Sequence, residues 1–432
     1  MKLIPDIETR SIQEIEAWQN RQLADVLAYI QAKSVFYRKK FREERIDISK
    51  IKTIQDLKHI PASDKTDLFH YNQDFICVPQ EEIRDYVTTS GTSGDPVTFA
   101  LTDNDLERLA YNEAISFACT GAKPGEIFQL MTTMDKRFMA GLAYFLGIRK
   151  LGAGIVRVGN GVPELQWESI ERFKPSTIIC VPSFIVKLVE YAQKSGIDYR
   201  RSSVRKAVCI GENLREQNFS LNLLGQRIKS LWDIELYSTY ASTEMGASFT
   251  ECCHGKGGHH HPELLIVELL DIYGNVVPHG EVGELTVTTL GMEAMPLLRF
   301  RTGDLCRFYS EPCSCGRNTL RISPIIGRLN QMLKIKGTTI YPPVVFDILD
   351  NMEEVHNYVV EISSSDFGTD VMKIFVDCPQ KYNGTEKKIK DKFRAKLRIA
   401  PELCFIEKDE LLKMQKVVER RKPIKFIDNR KN

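Results

Sequence analysis

Thr88-Thr89-Ser90-Gly91-Thr92-Ser93-Gly94-Asp95-Pro96 is the stretch on which the reading of this 432-residue chain turns. It holds five hydroxyl side chains and two glycines, between an expected strand at Ile83 to Val87 and another at Val97 to Leu101. Such a loop can curl backbone N–H groups and hydroxyls around phosphate oxygens. Its glycines allow close approach and left-handed backbone angles. It is not a Walker loop, because no Gly-Lys-Ser/Thr follows. Read in isolation it is equally a Ser/Thr/Gly-rich hairpin turn, so the rest of the chain must decide.

Upstream, Ile12, Ile15, Trp18, Leu23, Val26, Leu27 and Ile30 share a helical face, which predicts a helix over Ile12 to Ala32. Downstream, Asp105 to Phe117 reads as a helix, capped by Asp103 or Asn104. Short apolar runs follow: Ile127 to Met131, Gly154 to Val158, Thr177 to Val181, Ala207 to Ile210 and Ile234 to Tyr237. Ser183 to Ser195 and Arg215 to Leu224 read as helices between them. Strand–helix alternation predicts a parallel, helix-covered sheet. Leu264 to Leu270 and Gly283 to Leu290 read as antiparallel strands of a smaller β unit, with a turn at Asp271 to Asn275. Beyond Gly327 the pattern changes to a compact α+β module. The expected architecture is α/β: an N-terminal domain over 1–329 and a small, mobile α+β domain over 330–432. The Lys387 to Lys392 run reads as a solvated helix face.

Composition narrows the class. With 43% hydrophobic and 27% charged residues the chain reads as a soluble globular protein. A net charge of +2 gives no field that calls for nucleic acid. No apolar run reaches the roughly 18–20 residues of a membrane span, and Met1 to Glu8 shows no signal-peptide core. The odd count of eleven cysteines, several inside apolar runs, fits buried thiols in a reducing cytoplasm.

Three further segments follow the opening loop in order. They are Tyr237-Ser238-Thr239-Tyr240-Ala241-Ser242-Thr243-Glu244, Phe300-Arg301-Thr302-Gly303-Asp304, and Gly327-Arg328-Leu329-Asn330-Gln331 running on to Lys336-Gly337 and Tyr341-Pro342. Together with the loop they resemble the signature motifs of the adenylate-forming superfamily of acyl-CoA synthetases and luciferases. Gln19 to Leu23, Ser34 to Phe41, Ile60-Pro61-Ala62-Ser63-Asp64-Lys65-Thr66-Asp67-Leu68, Val181-Pro182-Ser183 and Glu293 to Arg299 resemble the phenylacetate–CoA ligase branch. The resemblance spans essentially the whole chain.

The resemblance implies an ATP-dependent acid–thiol ligase. A carboxylic acid, aryl or arylacetic by family expectation, becomes an acyl-adenylate and then a coenzyme A thioester. Joining two anions calls for fixed N–H groups, a divalent cation and a lysine. By resemblance Thr89, Ser90, Gly91, Thr92, Ser93 and Gly94 hold phosphates, Tyr240 stacks on adenine and Thr243 bonds the α-phosphate. Glu244 ligates Mg²⁺, a hard ion suited to carboxylate oxygen. Asp304 takes the ribose hydroxyls, Arg328 lies near the ribose, and Gly211-Glu212 lies near adenine. Lys422 bridges carboxylate and α-phosphate, and Asn330 is the hinge between half-reactions. Phe138, Tyr144, Phe184 and Tyr237 are the expected apolar walls of the acid pocket. The chain departs from the family at five positions. Asp95 stands where a lysine is usual, amides stand at Asn330 and Gln331 where acids are usual, Arg421 replaces a glycine and Lys425 an arginine.

Cys252-x₆-His259 and Cys313-Ser314-Cys315 form a second constellation. Two ligands from each of two loops is the pattern of a closed structural Zn²⁺ site. A subset of the phenylacetate–CoA ligase relatives carries such a cluster. Cys253, His254, His260 and His261 are neighbouring alternatives. Cys252 and His259 are preferred by their place in the relatives, and His261 shares a side with His259 on an extended strand. The expected partners are the acid, ATP and coenzyme A, with no nucleic acid and no membrane, and a homodimer stays open. Two other readings stay open: transfer of AMP or acyl to a non-CoA acceptor, and a catalytically silent nucleotide-binding scaffold.

Overall fold

The structure is a computed structural model and describes residues 3–89, 97–335, 338–364, 370–378, 384–417 and 423–430. The chain divides into two compact units, Met1–Ile325 and Ile326–Asn432. The division falls a few residues before the expected 329/330 boundary.

In the first unit the strands, in chain order, are β1 (Asp85–Thr88), β2 (Thr98–Leu101), β3 (Ile127–Leu130), β4 (Gly154–Arg157), β5 (Thr177–Cys180), β6 (Lys206–Cys209), β7 (Glu235–Ser242), β8 (Ala247–Glu251), β9 (Gly258–His259), β10 (Leu265–Leu270), β11 (Gly283–Thr289), β12 (Phe300–Cys306), β13 (Phe308–Tyr309) and β14 (Arg321–Ile322). The central sheet has nine strands in the order β13-β14-β9-β8-β7-β6-β5-β3-β4. Its β4, β3, β5, β6 and β7 run parallel. From β7 onward the pairing turns antiparallel. β4 lies on one side of β3 and β5 on the other, so the strand order reverses at β3. In parallel sheets, ligands gather at the carboxyl ends beside such a reversal. β1 and β2 form a hairpin, and β10, β11 and β12 form the smaller antiparallel unit.

The helices of this unit are α1 (Ile12–Lys33), α2 (Val35–Glu43), α3 (Lys65–His70), α4 (Asp103–Cys119), α5 (Met139–Leu151), α6 (Pro163–Phe173), α7 (Pro182–Lys194) and α8 (Leu223–Leu231). The α1 face read from the sequence is buried at Ile15, Leu23, Leu27 and Ile30, and Ser11 with Glu14 closes a capping box. The cap of α4 is Thr102, boxed with Asp105, rather than Asp103 or Asn104. The helix expected over 215–224 lies instead at Leu223–Leu231. Asn222 caps it through Gly225 N–H, and Asn218 folds residues 217–220 into a turn that a helix cannot pass. Helices α5 and α6 were not read from the sequence. Their apolar residues alternate with glycine and charge, so only tertiary burial reveals their inward faces.

In the second unit β18 (Asn357–Ser364) and β19 (Asp370–Asp377) form the centre of a four-stranded sheet, flanked by β20 (Glu402–Phe405) and β21 (Phe426–Asp428). Before it come β15 (Gly327–Arg328), the hairpin β16–β17 (Leu333–Ile335 and Thr338–Ile340) and α9 (Pro342–Asp350). In α10 (Thr385–Leu397) Ile389 and Phe393 face the core, and Lys387, Lys388 and Lys392 are exposed.

Candidate active site

The Tyr237–Glu244 motif continues β7 past the carboxyl end of its parallel pairing with β6. β7 runs directly into a hairpin with β8, closed by the Ser242–Ala247 pair, and Thr243, Glu244, Met245 and Gly246 form its tip. Gly246 has φ +52° and its N–H bonds the Thr243 carbonyl at 3.3 Å. Arg108, buried on α4, donates to the carbonyls of Gly246, Leu264 and Leu290, each at 2.7 Å. A guanidinium shared by three carbonyls fixes the tip against the body of the unit. Sequence reading missed this role, since nothing marks Arg108 locally.

Tyr240 and Asp304 meet across the sheet junction: the Tyr240 hydroxyl donates to Asp304 Oδ2 at 2.7 Å. The irregularity in β12 before Asp304 is shaped by Gly303, at φ +82°, and by Glu284. Glu284 accepts from Gly303 N–H at 2.9 Å and Arg301 Nε at 2.6 Å. Arg301 of this motif is therefore a brace for that irregularity.

Glu244 is 5% exposed and faces Lys65, whose Nζ lies 3.0 Å from Oε1. Burial opposes charge on Glu244, but Lys65 together with hydrogen bonds from the backbone and Ser242 outweighs it, so the carboxyl stays below its ordinary range. That oxygen has no well-aligned hydrogen bond among the described residues. A buried, ionised carboxylate oxygen is the kind of donor a hard divalent cation takes. Lys65 lies in Ala62-Ser63-Asp64-Lys65, a segment with a family signature, but its pairing with Glu244 spans 179 positions and only the fold discloses it.

Other expected residues are placed differently. The Glu212 carboxylate accepts from Ser183 N–H at 2.9 Å and Ser183 Oγ at 3.0 Å, so it caps the first turn of α7. Gly211, at φ +77°, makes the turn that brings it there. Thr89 closes the neck of the phosphate-loop segment: its N–H donates to Val97 O at 2.9 Å and its Oγ1 accepts from Val97 N–H at 3.0 Å. Ser90, Gly91, Thr92, Ser93, Gly94, Asp95 and Lys422 lie outside the described residues. In the second unit Arg328 ends β15 and Asn330 lies in a short 3-10 turn. There Arg430 donates to the carbonyls of Asn330 at 3.3 Å and Met332 at 2.7 Å. Of the expected pocket walls, Tyr144 is 3% exposed and packs edge-on against Phe117 in the core. Tyr237 is buried with its hydroxyl on Glu235, while Phe138 and Phe184 are half-buried.

A candidate metal centre lies beyond β8. The ligand atoms of Cys252, His259, Cys313 and Cys315 all lie within 4.8 Å of one another. Cys252 Sγ is 3.6 Å from Cys313 Sγ, and Cys315 Sγ is 3.4 Å from His259 Nε2. Edges of about 3.3–3.8 Å are what a tetrahedron with ~2.0–2.3 Å bonds requires. The turn at Gly316 (φ +91°) carries Cys313 N–H to Arg317 O and Gly316 N–H to Cys313 O, both at 2.9 Å. His259 Nδ1 faces Thr319 Oγ1 at 3.4 Å, which leaves Nε2 toward the sulfurs. A hydrogen bond from Cys252 and then His259 hold the Cys315 thiol far below its ordinary range, while Cys252 is pushed up. Two of the neighbours are engaged elsewhere and two are exposed. His260 bonds Leu265 O at 2.7 Å, His261 bonds Glu8 and Ser116, and Cys253 is exposed. Three sulfurs and one nitrogen fit zinc in a closed site.

Comparison with known proteins bears on these arrangements. The chain matches the family model "AMP-binding enzyme" over residues 15–294. It is 35% identical to the phenylacetate-coenzyme A ligase of Thermus thermophilus, over 81% of this chain and 78% of that protein. It is 30% identical to the phenylacetate-coenzyme A ligase of Escherichia coli, over 84% of this chain and 82% of that one. In fold it is similar to 2-hydroxyisobutyryl-CoA ligase in its postadenylation state, with TM-score 0.83, 22% identity, and 98% and 92% of the two chains covered. On these likenesses the chain belongs to the AMP-binding enzyme family, in its phenylacetate–coenzyme A ligase branch.

Proposed function

We propose that this chain, an ATP-dependent acid–coenzyme A ligase working through an acyl-adenylate, takes an aryl or arylacetic acid of the phenylacetate class. The observation that carries this is the 35% identity to a phenylacetate-coenzyme A ligase over most of both chains. In this reading Tyr240 offers a face to adenine and Asp304 accepts from the ribose hydroxyls. Thr243 holds the α-phosphate, with Glu212 and Gly211 shaping the adenine side as structural supports. Glu244 would hold Mg²⁺, which neutralises phosphate charge. Lys422 bridges the carboxylate and the α-phosphorus, so that carboxylate oxygen attacks and pyrophosphate leaves. The thiol of coenzyme A then attacks the acyl carbon and AMP departs. Asn330 is the pivot between the two half-reactions and Arg328 serves the ribose. Cys252, His259, Cys313 and Cys315 would hold a structural Zn²⁺. That ion stiffens the loop after Glu244 and takes no part in the chemistry, since four protein ligands leave no open position.

The test is pyrophosphate release with a panel of carboxylic acids, with and without coenzyme A. Arylacetic acids should support one slow turnover alone and sustained release with coenzyme A, with the acyl-CoA detected by mass spectrometry. Acid-dependent release without any thioester would defeat the coenzyme A half, and no acid-dependent release would defeat the whole reading.

A further inference from the structure

The loop leaving the carboxyl end of β3 carries two adjacent basic residues in a conformation that basic residues rarely take. Lys136 has φ +56° and Arg137 φ +57°, and Phe138 N–H bonds the Asp135 carbonyl at 3.2 Å. Two successive left-handed residues inside such a bond make a type I′ turn, a geometry that favours Asn-Gly. Side chains disfavour these angles, and such strain persists where the surroundings impose it and clusters at functional sites.

Here the surroundings impose it from three sides. Asp135 and Thr133 bond one another through side chain and backbone. Gly141, in the first turn of α5, lies so close to Thr133 that an added Cβ would fall 2.0 Å from its carbonyl oxygen. The Arg137 carbonyl accepts from Thr88 N–H at 3.0 Å. That last bond ties the basic turn to the end of β1, one residue before Thr89 and the neck of the phosphate-loop segment. Both side chains are exposed, and among the described residues neither has a hydrogen-bond or ion-pair partner. The turn also stands at the strand-order reversal, where parallel sheets receive ligands.

We infer that Lys136 and Arg137 form a phosphate-recognition turn, contacting the β- and γ-phosphates of MgATP and the pyrophosphate that leaves. The charge balance calls for such a contact, because this chain has Asp95 where the family's loop has lysine. A basic pair fixed at the root of the same hairpin restores the missing positive charge, and arginine suits phosphate oxygens in pairs. The inference rests on the reading of this site as a nucleotide site.

The decisive variant is Lys136→Asn with Arg137→Gly, which removes both charges and keeps the turn its preferred sequence. Binding is measured by calorimetry with MgATP and with pyrophosphate alone, at low and high salt, and KM values are taken for all three substrates. Affinity for both phosphate ligands should fall roughly tenfold, with a flatter salt dependence. The melting temperature should hold or rise, and Lys136→Arg with Arg137→Lys should stay near wild type. Wild-type binding with an unchanged double variant would overturn this inference alone. A loss confined to KM for coenzyme A would overturn it in favour of the coenzyme's phosphates. Wild-type protein that binds no MgATP would overturn both this inference and the nucleotide site beneath it.

Discussion

Glu113 shows how far one residue's surroundings can move its chemistry. It is buried on α4 with Asn112 Nδ2 donating to its Oε1 at 3.0 Å, and no cation pairs with it among the described residues. Burial, opposed only by its hydrogen bonds, pushes its carboxyl up to about 8. The folded protein therefore keeps this proton where the unfolded chain has lost it. The stabilisation is fully present below the ordinary carboxylate pKa near 4.5 and disappears as pH rises toward 8. Between pH 5 and pH 8.5 the native state should lose up to roughly 4 kcal/mol from this group. Glu113→Gln should remove that part of the slope in urea unfolding across the same range; an unchanged slope would assign it elsewhere. Lys65 acts in the opposite sense, by keeping Glu244 charged. Lys65→Met leaves a buried carboxylate without its cation. The cost should be about 1 kcal/mol, because Lys65 is itself 38% exposed and solvent screens the pair. Added Mg²⁺ should raise the melting temperature of Lys65→Met more than that of wild type. Equal responses would separate Lys65 from the metal position.

At the level of elements, the β7–β8 hairpin joins the two candidate centres. Its tip carries Thr243 and Glu244, and its second strand ends at Glu251, next to Cys252. Glu251 accepts from Ser238 N–H at 3.1 Å and Arg215 Nε at 2.7 Å, and Thr239 bonds Thr250 across the strands at 2.6 Å. These bonds connect the strand leading into the cysteine loop to the strand that holds Tyr240. Protein purified without chelator should carry about one zinc per chain by elemental analysis. Cys313→Ser should lose the metal, melt markedly lower and bind MgATP more weakly. The binding energy of structural zinc in small peptides is roughly 10–16 kcal/mol, and a unit with its own core should show only part of it as stability. Zinc-free wild-type protein would remove the metal, and full retention in Cys313→Ser would move the ligand set.

On the scale of the molecule, the two units carry different parts of the proposed chemistry: Tyr240, Glu244 and Asp304 in the first, Arg328, Asn330 and Lys422 in the second. A reaction in two halves can use such a division by changing which residues of the small unit attend each half. Lys422→Ala should cut adenylation by on the order of 10²–10³-fold, since it removes a charge partner of the transition state. Thioester formation from supplied acyl-adenylate should fall far less. Equal losses in single-turnover measurements of the two half-reactions would defeat the assignment.

Much of this was legible in the chain because it is written locally. Alternating apolar runs set the parallel sheet, since burial on both faces demands them. The motif segments lie on contiguous residues whose chemistry is visible without a fold. Cys252 with His259 and Cys313 with Cys315 were legible as two closely spaced pairs, and the fold adds that their four ligand atoms lie within 4.8 Å of one another. What the sequence left undecided depends on partners distant along the chain. Glu212 read as lying near adenine, and only the fold adds that it caps the first turn of α7. Arg301 read as part of a motif, and Glu284 makes it a brace. Lys65 met Glu244, Arg108 met three carbonyls, and Lys136 and Arg137 were bent into a turn their own side chains disfavour. Local patterns carry propensity and burial, which act over a few residues. Charge pairing, capping and strain are settled by whichever groups the folded chain brings within hydrogen-bonding reach, and only tertiary structure chooses those.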